Sequence, residues 1–281
     1  MATAHTGGDA IKRAAVSPKL EVLERLGYAV RGALYAVMGL LALRIVFGVA
    51  GGQATDLTGS LVFLIANPLG KLVLIVAVIG LAAYSLWGFI RAIYDPLHRG
   101  SDKSGYLARL GFVSSAISYG AIVFFGLQIL AGSGGAAGDS TQKTVASVLT
   151  HPAGGPLTIL LGLIVIGVAI GQFVEAYRAT FQNDLKGAEM RPATRTLVIR
   201  LGRFGMFSRG VIFLVIGWFV VQAGIHHDPA QAQGFGGAFV FLLNQPFGRI
   251  VLGIVALGFV ALGLHSFACA RWIRLMGSST A

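Results

Sequence analysis

The sequence predicts an all-α membrane protein in which six transmembrane helices form three parallel two-helix repeats, each with a short outer interfacial helix. Three observations carry this prediction. The composition is too apolar for a water-soluble globule, six apolar stretches have membrane-spanning length, and one phrase is written three times before alternate stretches. Hydrophobic residues make up 55% of the chain and charged residues 12%, with a mean hydropathy of +0.77. A soluble domain carries roughly a quarter charged residues. Forty glycines fit the same class, because small residues let helices approach closely in lipid. Helices are the default, since hydrocarbon cannot satisfy backbone polar groups and no alternating barrel pattern is present.

Residues 1–22 form a polar tail without the apolar core of a signal peptide. It is expected to be cytoplasmic, with a short amphipathic helix. Repeat 1 occupies 23–100, repeat 2 occupies 101–190, and repeat 3 with a short C-terminal tail occupies 191–281. The apolar stretches lie near 27–50, 69–93, 110–131, 155–179, 204–224 and 247–272, against a requirement of about 20 helical residues. If the N-terminus is inside, 18 of the 22 Lys and Arg residues fall on the inner side. Lys71, Lys143 and Arg249 fall outside and Arg44 within a span. That asymmetry predicts that both termini are cytoplasmic. It also accounts for the net charge of +11, and no basic stripe interleaved with aromatics argues for nucleic acid.

The repeated phrase is RLGYAVRGALY at 25–35, RLGFVSSAISY at 109–119 and RFGMFSRGVIF at 203–213. It aligns Arg25, Arg109 and Arg203, then Gly27, Gly111 and Gly205. Each glycine is followed after 41 residues by Pro68, Pro152 or Pro246, and two residues later by Gly70, Gly154 or Gly248. Each unit closes on Ala92, Ala176 or Ala270. Before each proline, Leu61/Leu64/Ile65, Val145/Val148/Leu149 and Phe239/Leu242/Leu243 mark one face of a short helix. The proline is expected to end that helix and open the next. Units that cross twice share one orientation, as parallel repeats about an axis along the membrane normal do. A pseudo-threefold bundle follows, with a linear or skewed row as the alternative.

The R-x-G-Y-x-x-R-G-x-x-Y phrase of the first unit, the Pro-x-Gly opening of each second helix and the AYRATF ending of the middle unit resemble a bacterial family, domain of unknown function 1206. The resemblance covers roughly 20–275. It implies a two-helix unit present three times in a six-helix inner-membrane protein, and it implies no activity. The middle unit departs most: Ser115–Ala116 stand where the others have Arg31–Gly32 and Arg209–Gly210.

One polar column, Arg44, Gln128 and Gln222, lies 17 residues after the repeat glycine, about 25 Å along the helix and so near the outer interface. It is a candidate outer vestibule, with snorkelling and loop capping as the alternative. Arg25, Arg31, Arg109, Arg203 and Arg209 are candidate contacts for anionic lipid at the inner face. Asp56, Asp139 and Asp228 are the outer-loop acids, one per repeat and loosely aligned, and helix capping explains the first two well. The adjacent His226 and His227 lack metal-site spacing. His265 has no partner histidine for a haem and fits a helix–helix hydrogen bond. Glu175 fits an ion pair with Arg178. The single Cys269 permits no internal disulfide. Gly167 and Gly171 form a weak G-x-x-x-G, and Tyr35, Tyr119 and Phe213 share a packing column. No cofactor, metal or catalytic residue is indicated.

The expected function is therefore a non-catalytic accessory or scaffold protein that packs against a membrane-protein partner, a second copy of itself or lipids. The competing reading is a small-solute or ion conduit with a polar outer vestibule.

Overall fold

The structure, a computed structural model, describes residues 18–48, 70–94, 103–131 and 140–273. Its helices are α1 (Pro18–Val46), α2 (Gly70–Tyr94), α3 (Lys103–Leu130) and α4 (Ser140–Leu149). They continue as α5 (Gly154–Arg178), α6 (Pro192–His226), α7 (Phe235–Leu243) and α8 (Gly248–Trp272). Among the described residues there is no strand, only an isolated bridge between Leu185 and Ile273. α1, α3, α5, α6 and α8 are long and apolar enough to cross a membrane, and α2 carries an apolar stretch over Leu74–Ile90.

α6 starts at Pro192, 12 residues before the expected span. Arg191 is extended and Pro192 takes the first turn, where its fixed φ suits the helix and its missing N–H costs nothing. Nothing in an apolarity count marks this start, because the added turns are basic.

The long helices follow one another round a ring that is open between α3 and α5. α1 packs on α2, α2 on α3, α5 on α6, α6 on α8, and α8 returns to α1. Close backbone approaches join successive units. A Cβ on Gly32 of α1 would lie 2.9 Å from the Gly263 carbonyl oxygen of α8. At the corresponding place between units 1 and 2, Ser85 Oγ donates to Ala116 O at 2.7 Å. α5 meets α6 through Gly162 and Gly217, each of whose Cβ would crowd the other's carbonyl oxygen at about 3 Å. Small residues at these crossings allow van der Waals packing that lipid-facing side chains would block.

The short helices α4 and α7 follow the pattern expected before each proline, with Val145 and Phe239 fully inward. α7 reaches well below a surface position. Phe239 stacks edge-on against Phe259 of α8 at 5.7 Å, and Phe235 meets Phe213 of α6 at 5.6 Å. The first unit's counterpart, with Asp56 and Pro68, lies outside the described residues, as do Asp139 and most of the N-terminal tail.

The prolines do not open the second helices. His151–Gly154 and Gln245–Gly248 are β-turns closed by Gly154 N–H to His151 O and Gly248 N–H to Gln245 O, both 2.8 Å. Pro152 and Pro246 take the position for which their φ is preset, and each helix begins two residues later on the glycine. A Cβ there would collide with the end of the short helix, 2.6 Å from Val148 O at Gly154 and 1.9 Å from Leu243 O at Gly248. The Pro-x-Gly spacing is therefore a turn plus a close approach.

Candidate functional site: a buried arginine cage and the cavity beneath it

The repeated first arginine fastens one unit to the one before it. Arg203 donates from Nε to Ala176 O at 2.8 Å and from a terminal nitrogen to Tyr177 O at 2.5 Å. Arg25 donates to Ala270 O at 2.7 Å and to Arg271 O at 2.6 Å. These carbonyls end α5 and α8, where four acceptors lack intrahelical donors and the helix dipole favours a cation. The alanines are those that close units 2 and 3 in the repeat register. Arg109, over the Tyr106 ring at 5.8 Å, is the middle member.

Arg31 and Arg209 do not sit with them at the rim. Arg31 lies six residues further along α1, about 9 Å deeper. Its guanidinium stands 5.5, 5.4 and 5.8 Å from the ring centres of Tyr35, Tyr84 and Tyr119. It donates to Tyr84 Oη at 2.5 Å. Arg209 approaches Phe213 at 4.8 Å and the same Tyr35 ring at 5.7 Å. The hydroxyls of Tyr35 and Tyr119, both almost fully buried, are 3.0 Å apart. The Tyr35/Tyr119/Phe213 column thus converges at the centre and encloses two guanidiniums. Nε of each is buried with no hydrogen-bond partner. Among the described residues neither arginine has a carboxylate within ion-pair distance. Each ring offsets about 0.5–2 kcal/mol of a buried cation's cost, whereas burying an unpaired charge costs several kcal/mol. The cage is electrostatically incomplete.

Directly toward the basic end lies a cavity of about 300 Å³. Tyr28, Arg31 and Tyr84 line its roof, and Gln172 and Glu175 of α5 one wall. Its floor is the Thr180–Leu185 loop, pinned to the end of α8 by Lys186 N–H to Trp272 O at 2.7 Å. Glu175 accepts from Thr180 Oγ1 and, at 2.7 Å, from Phe181 N–H. It braces the loop and is not paired with Arg178, because the chain leaves the helix at Ala179 and brings these donors closer.

The cavity exists because the middle unit breaks the threefold pattern. Ser115 lines it where an arginine would point, and Gly171 of α5 stands in the column of Trp87 and His265. In units 1 and 3 the repeat glycine seats the second helix: Cβ atoms on Gly27 and Gly205 would lie 2.7 Å from Gly80 O and 2.6 Å from Leu262 Cβ. In unit 2, Gly111 has nothing within 4 Å, and neither have Gly167 and Gly171. Extensive α3–α5 contact is absent among the described residues, so the cavity has an open side there.

The other sequence-marked groups lie apart. Arg44, Gln128 and Gln222 are half-buried, and none lines this cavity. His265 Nδ1 donates to Val198 O at 3.1 Å, the expected helix–helix bond, and Nε2 lies 3.4 Å from Cys269 Sγ. Asp228 caps the turn at Ala230 N–H. His226 Nδ1 meets Gln222 O, and His227 lies against Gly155. Residue-by-residue reading missed Tyr84, Gln172 and the cavity role of Ser115. The signal available was the middle unit's departure from its neighbours.

Comparison with known proteins agrees with the internal register. The model for a Domain of Unknown Function, number 1206, matches three times, at 26–95, 110–179 and 204–272. An uncharacterized protein, YxxB of Bacillus subtilis (strain 168), is 34% identical over 249 residues, covering 89% of this chain and 90% of the relative. No solved structure matches the chain. Three matched units and a full-length relative place this chain in the domain of unknown function 1206 family.

Proposed function

We propose that the chain is a non-catalytic accessory or scaffold protein of the bacterial plasma membrane that packs against lipids or a protein partner and conducts nothing. The observation that carries this reading is the filled centre of the ring. Beyond the arginine cage, Leu34, Met38, Ile212, Phe239 and Phe259 are completely buried, and α7 closes the Pro-x-Gly end with aromatic contacts. A conduit needs a polar path, and close-packed side chains leave no room for one. The accumulated Lys and Arg favour the cytoplasm for the basic end, which would bring Arg25, Arg109 and Arg203 to anionic headgroups as well. Cys269 and His265 are read as a packing pair within one helix, since His265 commits Nδ1 to a backbone carbonyl.

The conduit remains the second reading because Arg44, Gln128 and Gln222 lie at similar heights on three helices of the ring. Reconstitution into liposomes separates the two. Flux of ions and small solutes should match protein-free vesicles across a broad panel, and the solubilised protein should carry a stoichiometric partner or lipid. Flux abolished by Arg44→Ala would establish the conduit instead.

A further inference from the structure

We propose that the cavity beneath Arg31 is a binding site for one zwitterionic phospholipid, of the phosphoethanolamine headgroup class, reached sideways from the bilayer between α3 and α5. Three features of the site support this.

The first is charge. The roof presents Arg31, a cation with a buried Nε that has no hydrogen-bond partner, backed by Arg209 on the same tyrosine. Opposite it the α5 wall presents the Glu175 carboxylate, which accepts from Thr180 Oγ1 and Phe181 N–H and has lone pairs for a further donor, with Gln172 beside it. A simple anion would satisfy the roof and be repelled by that carboxylate. A ligand carrying phosphate at one end and ammonium at the other satisfies both.

The second is spacing. Glu175 lies seven residues nearer the basic end than the position in α5 that aligns with Tyr84, Arg31's partner. That is about 10 Å along the helix axis, suited to a phosphate–ammonium pair with a hydrogen bond at each end. The order also matches a lipid in the leaflet at the basic end. Its ammonium lies outermost, its phosphate deeper, and its acyl chains deeper still.

The third is access. Gly111, Gly167 and Gly171 leave the α3–α5 side unfilled, and the exposed face of α5 that carries two of these glycines is apolar, with Leu163, Ile170 and Val174. Acyl chains fit that seam, and a water-soluble ligand would be unable to cover it.

This deepens the lipid-packing reading of the preceding subsection and rests on it. The two fail separately: solute flux would defeat the accessory role and leave the lipid in place, and an empty cavity would leave the flux result standing.

The test is native mass spectrometry of the full-length detergent-purified protein. The protein is offered equal amounts of phosphatidylethanolamine, phosphatidylglycerol and phosphatidylcholine of identical chains. One phosphatidylethanolamine per protein is expected, favoured about tenfold over phosphatidylcholine, which lacks the ammonium donors, and over phosphatidylglycerol, which lacks the cation. Arg31→Met should lose that preference while the protein stays folded, since it removes an incompletely compensated buried charge. Ser115→Trp fills the cavity while leaving Arg31 and its tyrosines in place as residues, and should abolish retention, so a failure of Arg31→Met to fold leaves the test intact. Equal or tighter retention of phosphatidylglycerol would overturn the zwitterionic assignment. Displacement of the lipid by soluble phosphoethanolamine at matching concentration would overturn sideways access. Retention by Ser115→Trp would overturn the site itself.

Discussion

Arg25 reaches the end of α8 across 245 residues of chain, and Arg203 makes the equivalent contact with α5 over 27. The two bonds look alike because each joins a unit to its predecessor in the ring, and the last unit precedes the first. Charge-assisted bonds to helix-terminal carbonyls are worth about 1.5–3 kcal/mol each before desolvation. Arg25→Gln and Arg203→Gln are therefore each expected to destabilise the detergent-solubilised protein by about 1–3 kcal/mol. The exposed Arg200→Gln should fall within about 0.5 kcal/mol of the parent. Denaturant titration measures this, and equal effects at 200 and 203 would refute the clamp. Arg31 illustrates the opposite economy, a cation six residues away that trades helix carbonyls for aromatic rings and leaves Nε unsatisfied. Native folds retain such costs at functional sites.

The Pro-x-Gly segments show how a spacing becomes a shape. Ala153 closes its turn at φ −100°, and Phe247 closes the matching turn at φ +59°. A left-handed non-glycine residue costs about 1–2 kcal/mol. Phe247 is 81% exposed and gives up little packing in return, so Phe247→Gly should stabilise by about 1 kcal/mol, read as a raised unfolding midpoint. No change, or a fall, would mean that the left-handed turn at Phe247 carries no net strain. The sequence makes the units, their register and the inward faces of α4 and α7 legible, because periodicity and fixed offsets are local properties. It does not disclose that Arg25 meets Ala270, since nothing local states which units are neighbours. Nor does it disclose the cavity, which is the volume missing at Ser115, Gly171 and Gly111 and becomes visible only once the surrounding helices are in place.

At the scale of the whole molecule, three copies of one two-helix unit are arranged so that the first meets the last, and departure of the middle copy from the pattern leaves the side between α3 and α5 open. Pseudo-symmetry supplies the packed centre that argues against conduction, and broken symmetry supplies a cavity whose walls include every unit. Both depend on contact between the first and last units. The Phe267 ring of α8 lies against Gly32 of α1, its Cδ1 3.1 Å from where a Cβ would stand. The decisive measurement puts the photocrosslinker p-benzoylphenylalanine in place of Phe267, with a protease site inserted between residues 95 and 102. After irradiation in native membranes and cleavage, the two fragments should run as one species. Fragments that separate although the benzophenone has been consumed would contradict contact between the first and last units.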